Sequence, residues 1–547
     1  MKVLSEEYWS SLIRIDNIFN NTGSVKYLPR NMRIILTAAF LFAFSLAKSQ
    51  TMNLQPAFGN EGIVLTDLAN HTTDEVAYNI LTQSDSKIIA IGRTSDSAVS
   101  YFKTVLVRYE SNGDIDSSFG NDGMVQIEEA DFVYHSAVLQ SNGSILIMGD
   151  KTGEAPDYIS NISVRRLDND GTPDSSFGTN GIVLLPVASA SGYGKGIALL
   201  TDGRIIIAGK DAENSSTVVA YALNPNGSAD MGFGTDGKRS IILGFAENGL
   251  GAIAVQSDNK ILLAGYFVED NNQSGFFCMR LQVNAGTDNS FGNNGVYQTA
   301  NTSTDFLELN SLLVTENDKL LLTGYISNPS QLSSSLRIIR LMPNGIPDNS
   351  FNGNGMNDYY KTLNYDSTFV IPNAVAIHPD NSIYVVGSSV NNSGSFSPFI
   401  IRITKEGILD STLSTEGSGW YYNNQGGLGA LLYDISITSA DSSIFVAGSK
   451  EAPGGDDDIL IAAYQRLPDT PGIVYVFNGD GLWTDTTNWL NALVPPTDLP
   501  NGATIVIDPA LNGTAILNVE QNIEAGGKII VKQNAKLQVE GNFKIGN

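Results

Sequence analysis

The chain reads as all-β: a seven-bladed β-propeller of four-stranded blades, followed by a small β-rich, solenoid-like C-terminal segment. Three observations predict it. A Phe-Gly turn phrase recurs seven times, a hairpin phrase recurs with it, and each period holds four strand-like runs and no helix-period stretch. The apolar centres of the turn phrase are Phe58, Phe119, Phe177, Phe233, Phe291, Phe351 and Leu413, at spacings of 61, 58, 56, 58, 60 and 62.

The turn phrase is "DSSFGNDG" at Asp116–Gly123, "DSSFGTNG" at Asp174–Gly181 and "DNSFGNNG" at Asp288–Gly295, with looser copies elsewhere. Its Asp suits an Asx-turn onto the amide two residues on. Its Phe is sized to fill the seam between blades, and its last Gly is expected at positive φ. The hairpin phrase reads "QSDSKIIAIG", "QSNGSILIMG", "LTDGRIIIAG", "QSDNKILLAG" and three further variants, closing on Gly92, Gly149, Gly209, Gly265, Gly324, Gly387 and Gly448. Two apolar runs around such a turn form a β-hairpin.

In the first period the four runs are Gly62–Leu68, Ala77–Gln83, Lys87–Thr94 and Thr104–Glu110. The chain enters the series on a turn phrase that elsewhere follows a completed fourth strand. Gly62–Leu68 is therefore expected to close the last blade, joining the two ends of the ring and removing a free sheet edge. Arg108, Arg166, Arg280, Arg340 and Arg402 each precede the motif Asp by eight residues, which predicts structural Arg–Asp pairs; Ala222 interrupts the series.

These phrases, G-x-x-D-x-S-F-G-x-x-G followed by Q-x-D-G-K-I-x-x-x-G, resemble the delta-60 repeat family of secreted bacterial β-propeller proteins, over roughly Leu54 to Gln465. The resemblance implies the propeller fold and export, and it carries no assigned activity. Downstream, "GLWTDTTNW" with Pro495 and Pro496 is similar to a W…NW…P segment of large bacterial surface proteins, which implies the start of a short or truncated β-solenoid.

The expected organisation is a signal peptide with an N-terminal extension over 1–49, a propeller over 50–467, a linker over 468–477 and a β-rich domain over 478–547. "MRIILTAAFLFAFSLAKSQ" has the basic start, apolar core and small cleavage residues of an export signal, so translation from Met32 is the alternative to a long leader. The apolar core is too short to span a bilayer, and no later run offers a transmembrane anchor. The destination is secreted, cell-surface or periplasmic. The lone Cys278 excludes an internal disulfide and is expected to pack as a small apolar residue.

Charged residues make up 16% of the 547 and the net charge is −25. That balance excludes nucleic acid as a partner, since phosphate recognition needs clustered Lys and Arg. Three histidines at unlike repeat positions and no Cys/His set give no zinc motif, and no catalytic residue or cofactor is nominated. Calcium is weighed at Asp168, Asp170 and Asp174, spaced D-x-D-G-x-x-D; the other copies carry Glu110, Asn224, Gln282, Met342 and Thr404 at the first position.

Two function classes remain. One is a monomeric binding or scaffold propeller contacting an extracellular glycan or protein. The other is a carbohydrate-active hydrolase or lyase, which a cluster breaking the sevenfold pattern at one mouth of the ring would favour. Any ligand is expected on the face of the variable loops rather than on the uniform turn face. Tyr101, Tyr158 and Tyr266 are the candidate stacking residues there.

Overall fold

The computed structural model describes residues 52–466 and 474–545, apart from stretches at 69–73, 97–98, 128–131, 152–160, 188–191, 212–216, 302–305, 329–332, 360–368, 391–395, 411–412, 414–419, 422–429, 439–441, 453–454, 478–479, 490–493, 496, 500–503, 508–513, 520, 524–527, 532–535 and 540–542. The stretch expected to be an export signal lies outside the described residues. Among those described there is no α-helix, and no helix long and apolar enough to cross a membrane.

Seven antiparallel sheets form the blades, six of four strands in sequence order and a seventh of five that draws strands from both ends of the ring. Blade 1 is Glu75–Thr82, Ile88–Asp96, Val99–Tyr109 and Met124–Ile127. Blades 2 to 6 repeat it, with first strands at Phe132–Leu139, Tyr193–Leu199, Glu247–Val255, Phe306–Val314 and Phe369–Ile377. Blade 7 is Ala430–Ile437, Ile444–Glu451 and Asp457–Arg466, completed by Ile63–Thr66 from the start of the chain, with Ile63 opposite Ala462 and Thr66 opposite Ile459. The closing strand is the one the displaced first phrase predicts. Met52–Leu54 adds a further pairing to the same third strand, opposite Tyr464–Arg466. First strands of successive blades lie against one another all the way round, so they line the axis.

The second and third strands are sandwiched on both faces, which explains their unbroken apolar runs. Thr217–Leu223 is buried at every position, whereas the outer strand Lys238–Ile242 is exposed at three of five. The hairpin turns take positive φ at Ser86, Gly143, Gly203, Asn259, Asp318, Asn381 and Ser442. The last glycine of the turn phrase does so in its six described copies, Gly62, Gly123, Gly181, Gly237, Gly295 and Gly355.

Every apolar centre of the turn phrase is a seam plug. Phe119, fully buried, packs with Ile89 and Leu106 of blade 1 and with Phe132, Ile145 and Ile147 of blade 2. Phe177, Phe233, Phe291 and Phe351 do the same at the next four seams, Leu413 between blades 6 and 7, and Phe58 between blades 7 and 1. Cys278 sits in one of these seams, and burial pushes its thiol pKa up.

All five expected Arg–Asp pairs form: Arg108–Asp116 at 2.7 Å, Arg166–Asp174 at 2.6 Å, Arg280–Asp288 and Arg340–Asp348 at 2.8 Å, and Arg402–Asp410 at 3.1 Å. Four of the guanidinium groups also lie over the plug ring, 4.6–4.8 Å from its centroid, and reach a backbone carbonyl of the next blade, such as Pro225 from Arg166. Each Arg thus ties turn, plug and neighbouring blade together. The hairpin lysine supplies a second cation in three blades, Lys87 to Asp116, Lys260 to Asp288 and Lys319 to Asp348. Where Ala222 breaks the series, Arg204 at that hairpin position pairs with Asp230 at 2.8 Å.

Asp174 has no such second cation. Bonds from Ser176 and then from Arg166 hold its carboxyl below the usual range. Arg166→Ala is expected to cost about 3 kcal/mol at neutral pH, because it strands that carboxylate at the seam. The wild-type pair stabilises above the unfolded carboxyl value and fails as pH falls through the lower folded one, so the difference should shrink at pH 3. Urea unfolding of both proteins at the two pH values measures it; an equal loss at both would contradict the ion-pair role.

The C-terminal segment builds three parallel three-stranded sheets: Val474–Phe477, Thr504–Ile507 and Lys528–Val531; Gly481–Leu482, Thr514–Leu517 and Lys536–Val539; Asp498–Leu499, Gln521–Ile523 and Phe543–Ile545. Such stacking of successive turns is solenoid pairing. Its first strand lies within 468–477, the stretch expected to be linker. The W…NW phrase forms the core: Trp489 donates Nε1 to Trp483 O at 2.7 Å, Trp483 and Phe477 are buried beside it, and Asn488 donates to Leu482 O at 3.0 Å.

Candidate functional site

Each first strand carries a β-bulge at the same repeat position. The extra residues are Tyr78, His135, Lys195, Gly251, Asn310, Asn373 and Tyr433. Opposite each bulge stands the closing glycine of the hairpin phrase. A Cβ on Gly92 would lie 1.7 Å from Val76 O and one on Gly448 1.8 Å from Leu431 O; the other five would lie 2.0–2.3 Å from a backbone oxygen. The repeated glycine is therefore the partner of the bulge, which needs bare backbone beneath it.

The bulges come near the start of the first strand, at the end of the ring that carries the second-to-third-strand loops. Bulges re-aim side chains, and here seven equivalent backbone positions around the axis carry unlike ones. Tyr78 and Tyr433 meet edge to face at 4.9 Å. Arg93 lies 5.3 Å over Tyr78 and 4.0 Å over Phe102. Burial raises the pKa of both tyrosines, and that of Asp457 near them. Asn373 donates to Leu432 O at 2.6 Å, so this bulge residue serves the ring itself. Beneath them Asp434 accepts from Asn79 and from the Ile80 amide, and burial pushes it up to about 6.

Blades 2 to 5 form the other side of the mouth. His135 Nε2 lies 2.6 Å from Asp150, whose second oxygen accepts from the Gly194 amide at 2.7 Å. Gly194 is flanked by Tyr193 and by Lys195, the latter without a polar partner among the described residues. Lys210 donates to Asn248 O at 2.6 Å, and burial lowers its pKa. Blade 4 has Gly249 and Gly251 on its first strand, and the Tyr266 ring lies over Gly249. Tyr266 reaches Glu247 at 3.4 Å and Tyr325 reaches Glu308 at 2.9 Å. Phe306, 54% exposed, lies between the two rings, at 6.5 and 6.3 Å.

Tyr266 is thus at the expected mouth, but in the second strand Ile261–Val268 rather than on a loop, half-buried and pushed up to about 12 by burial and then by Glu247. Tyr158 and the side chain of Tyr101 lie outside the described residues. Asp168, Asp170 and Asp174 serve separate roles. Asp170 accepts from Thr172 and Asp174 from Ser176 and Arg166, while Asp168 is exposed. Among the described residues, the acidic group with oxygens within 4.8 Å of one another is Asp67, Glu75 and Asp458, at the seam of blades 7 and 1.

Sequence reading passed over His135, Asp150, Lys195 and Glu308. A single inserted residue leaves no compositional trace. The available signal was negative: the repeated phrases reach neither the start of the first strand nor the residues just after the closing glycine.

Repeats, seven blades and the closing strand define a β-propeller repeat protein. Five segments, residues 83–119, 140–177, 200–233, 256–291 and 378–413, match the model of a domain of unknown function described as DUF5122 beta-propeller. No curated protein matches. Similar solved structures include the polysaccharide lyase Uly1, at 11% identity over 72% of this chain and 90% of that one with a TM-score of 0.43. The β-propeller domain of the Trilobed protease from Pyrococcus furiosus gives 11% identity over 73% and 97%, with a TM-score of 0.40. The Hadza microbial sialidase Hz136 gives 11% over 67% and 74%, with a TM-score of 0.34.

Proposed function

We propose that this is an exported propeller that binds carbohydrate at the variable-loop mouth of its ring, acting as a monomer at the cell surface or outside the cell. The observation that carries the reading is the Tyr266–Phe306–Tyr325 group beside Glu247 and Glu308. Aromatic faces pack on the C–H faces of a sugar ring, and adjacent carboxylates accept its hydroxyls. Tyr101 and Tyr158 are kept as sequence candidates for the same stacking role. The repeat phrases favour kinship with the delta-60 group, and the C-terminal W…NW…P segment favours a place on a larger surface assembly. No cofactor is needed for binding.

The test is a panel of polysaccharides screened by affinity electrophoresis, with Kd measured by calorimetry for any that retard the protein. Tyr266→Ala with Phe306→Ala is expected to weaken binding at least tenfold, about 1.4 kcal/mol, in protein that still unfolds cooperatively. Unchanged affinity in that double variant, or retention of binding after loss of the mouth residues generally, would move the site elsewhere.

A further inference from the structure

We infer that the same mouth is catalytic, and that His135, Tyr193 and Lys195 cleave a uronic-acid polysaccharide by β-elimination. The inference rests on the carbohydrate-binding reading and goes beyond it in reaction and substrate class.

Asp150 organises the group. One of its oxygens holds His135 Nε2 at 2.6 Å and the other takes the Gly194 amide at 2.7 Å. Both oxygens are thus engaged, and the carboxylate fastens the bulge residue of blade 2 to the strand Tyr193-Gly194-Lys195 of blade 3. A neutral imidazole bonded in this way carries its proton on Nε2, facing the carboxylate, and its lone pair on Nδ1. Nδ1 has no partner among the described residues, and the ring is 30% exposed. This is the arrangement of an oriented general base. Tyr193 lies in the field of Asp150 and Glu308, and burial keeps its phenol protonated. Lys195, the next bulge residue, is a half-buried cation whose charge nothing among the described residues neutralises.

A carbon acid, a base, an acid and an unpaired cation fit one reaction on sugars. The hydrogen at C5 of a uronate is acidic only when its carboxylate is neutralised, which is the part of Lys195. His135 Nδ1 takes that proton, the C5 electron pair forms the C4–C5 double bond, and the C4–O bond breaks. The departing oxygen, still on the anomeric carbon of the preceding sugar, takes the Tyr193 proton. The products are a 4,5-unsaturated uronyl end and a new reducing end. The imidazolium then returns its proton to the tyrosinate through water. No oxidant or cofactor enters the balance.

The experiment incubates the full chain with polygalacturonate, alginate and hyaluronan, and with neutral laminarin as control. Ultraviolet absorbance reads the unsaturated product, reducing-end assay reads total cleavage, and calorimetry reads binding. Expected are absorbance with at least one uronate polymer, none with laminarin, and losses of at least a hundredfold in kcat for His135→Ala and Tyr193→Phe with Kd held within a fewfold. Lys195→Ala should lose the preference for the free uronate over its methyl ester. Binding of a uronate polymer without product overturns the inference and leaves the binding reading intact. New reducing ends without absorbance indicate hydrolysis and overturn it as well. Binding to none of the four polymers defeats both readings.

Discussion

Deleting residues 50–68 is expected to cost at least about 5 kcal/mol and to leave a ring that associates with itself. The segment supplies the fourth strand of the last blade, Ile63–Thr66, and the plug Phe58, which is 1% exposed between blades 7 and 1. It also supplies the fully buried Met52, and Thr66 shares a buried hydrogen bond of 2.8 Å with the Tyr109 hydroxyl. Loss of a buried Phe alone amounts to about 3–5 kcal/mol. The deletion further bares the long third strand Asp457–Arg466, whose free backbone groups would template pairing with another copy. Denaturant unfolding and size-exclusion chromatography check both effects, and a synthetic 50–68 peptide added in trans should restore a monomer. A monomeric deletion variant of wild-type stability would show that this strand does not hold the ring closed.

Gly92→Ala is the second large effect. Its new Cβ would sit 1.7 Å from Val76 O and 2.8 Å from Ala77 Cα, and its nearest obstacles are all backbone that cannot swing aside. Either the bulge at Tyr78 flattens or the two strands part, at about 3 kcal/mol or more. The control is Gly286→Ala, where the Cβ meets only the tip of the Asn284 side chain at 3.1 Å and the change should stay within about 0.5 kcal/mol. Thermal unfolding ranks the pair. Equal Tm values would show that the inner strand is not pressed onto its glycine.

What the sequence made legible is what it says seven times. Phe119 alone could be any buried aromatic; with six counterparts at one spacing it is a seam plug. Arg166 became readable in the same way, through its five-member series. The lysine in the hairpin turn recurs in three copies, and its partnership with the turn Asp escaped notice because the two lie 29 residues apart in Lys87 and Asp116 and join only across strands. Arg204 compensating for Ala222 is the same contact seen through its exception. The bulges were illegible for a different reason: they are a mismatch in pairing register, and register exists only once two strands are aligned. His135 was set aside because it broke the repeat, and that departure is what distinguishes the mouth from the scaffold. Tyr266 was singled out for its residue type; its strand, its glycine floor and its glutamate partner emerged only from the fold.

The bulge ring has a consequence for how such a molecule changes over time. Because the protruding position is generated by the backbone pairing and guarded by the glycine opposite, its side chain is relieved of most packing duty in several blades. Lys195 and His135 can be exchanged singly without disturbing the plug, the Arg–Asp tie or the closing strand. A duplicated blade therefore arrives with a blank slot already facing the axis. New ligand preference can be reached one substitution at a time, each screened against an unaltered chassis, and a library randomised at His135 and Lys195 would sample recognition while leaving folding fixed.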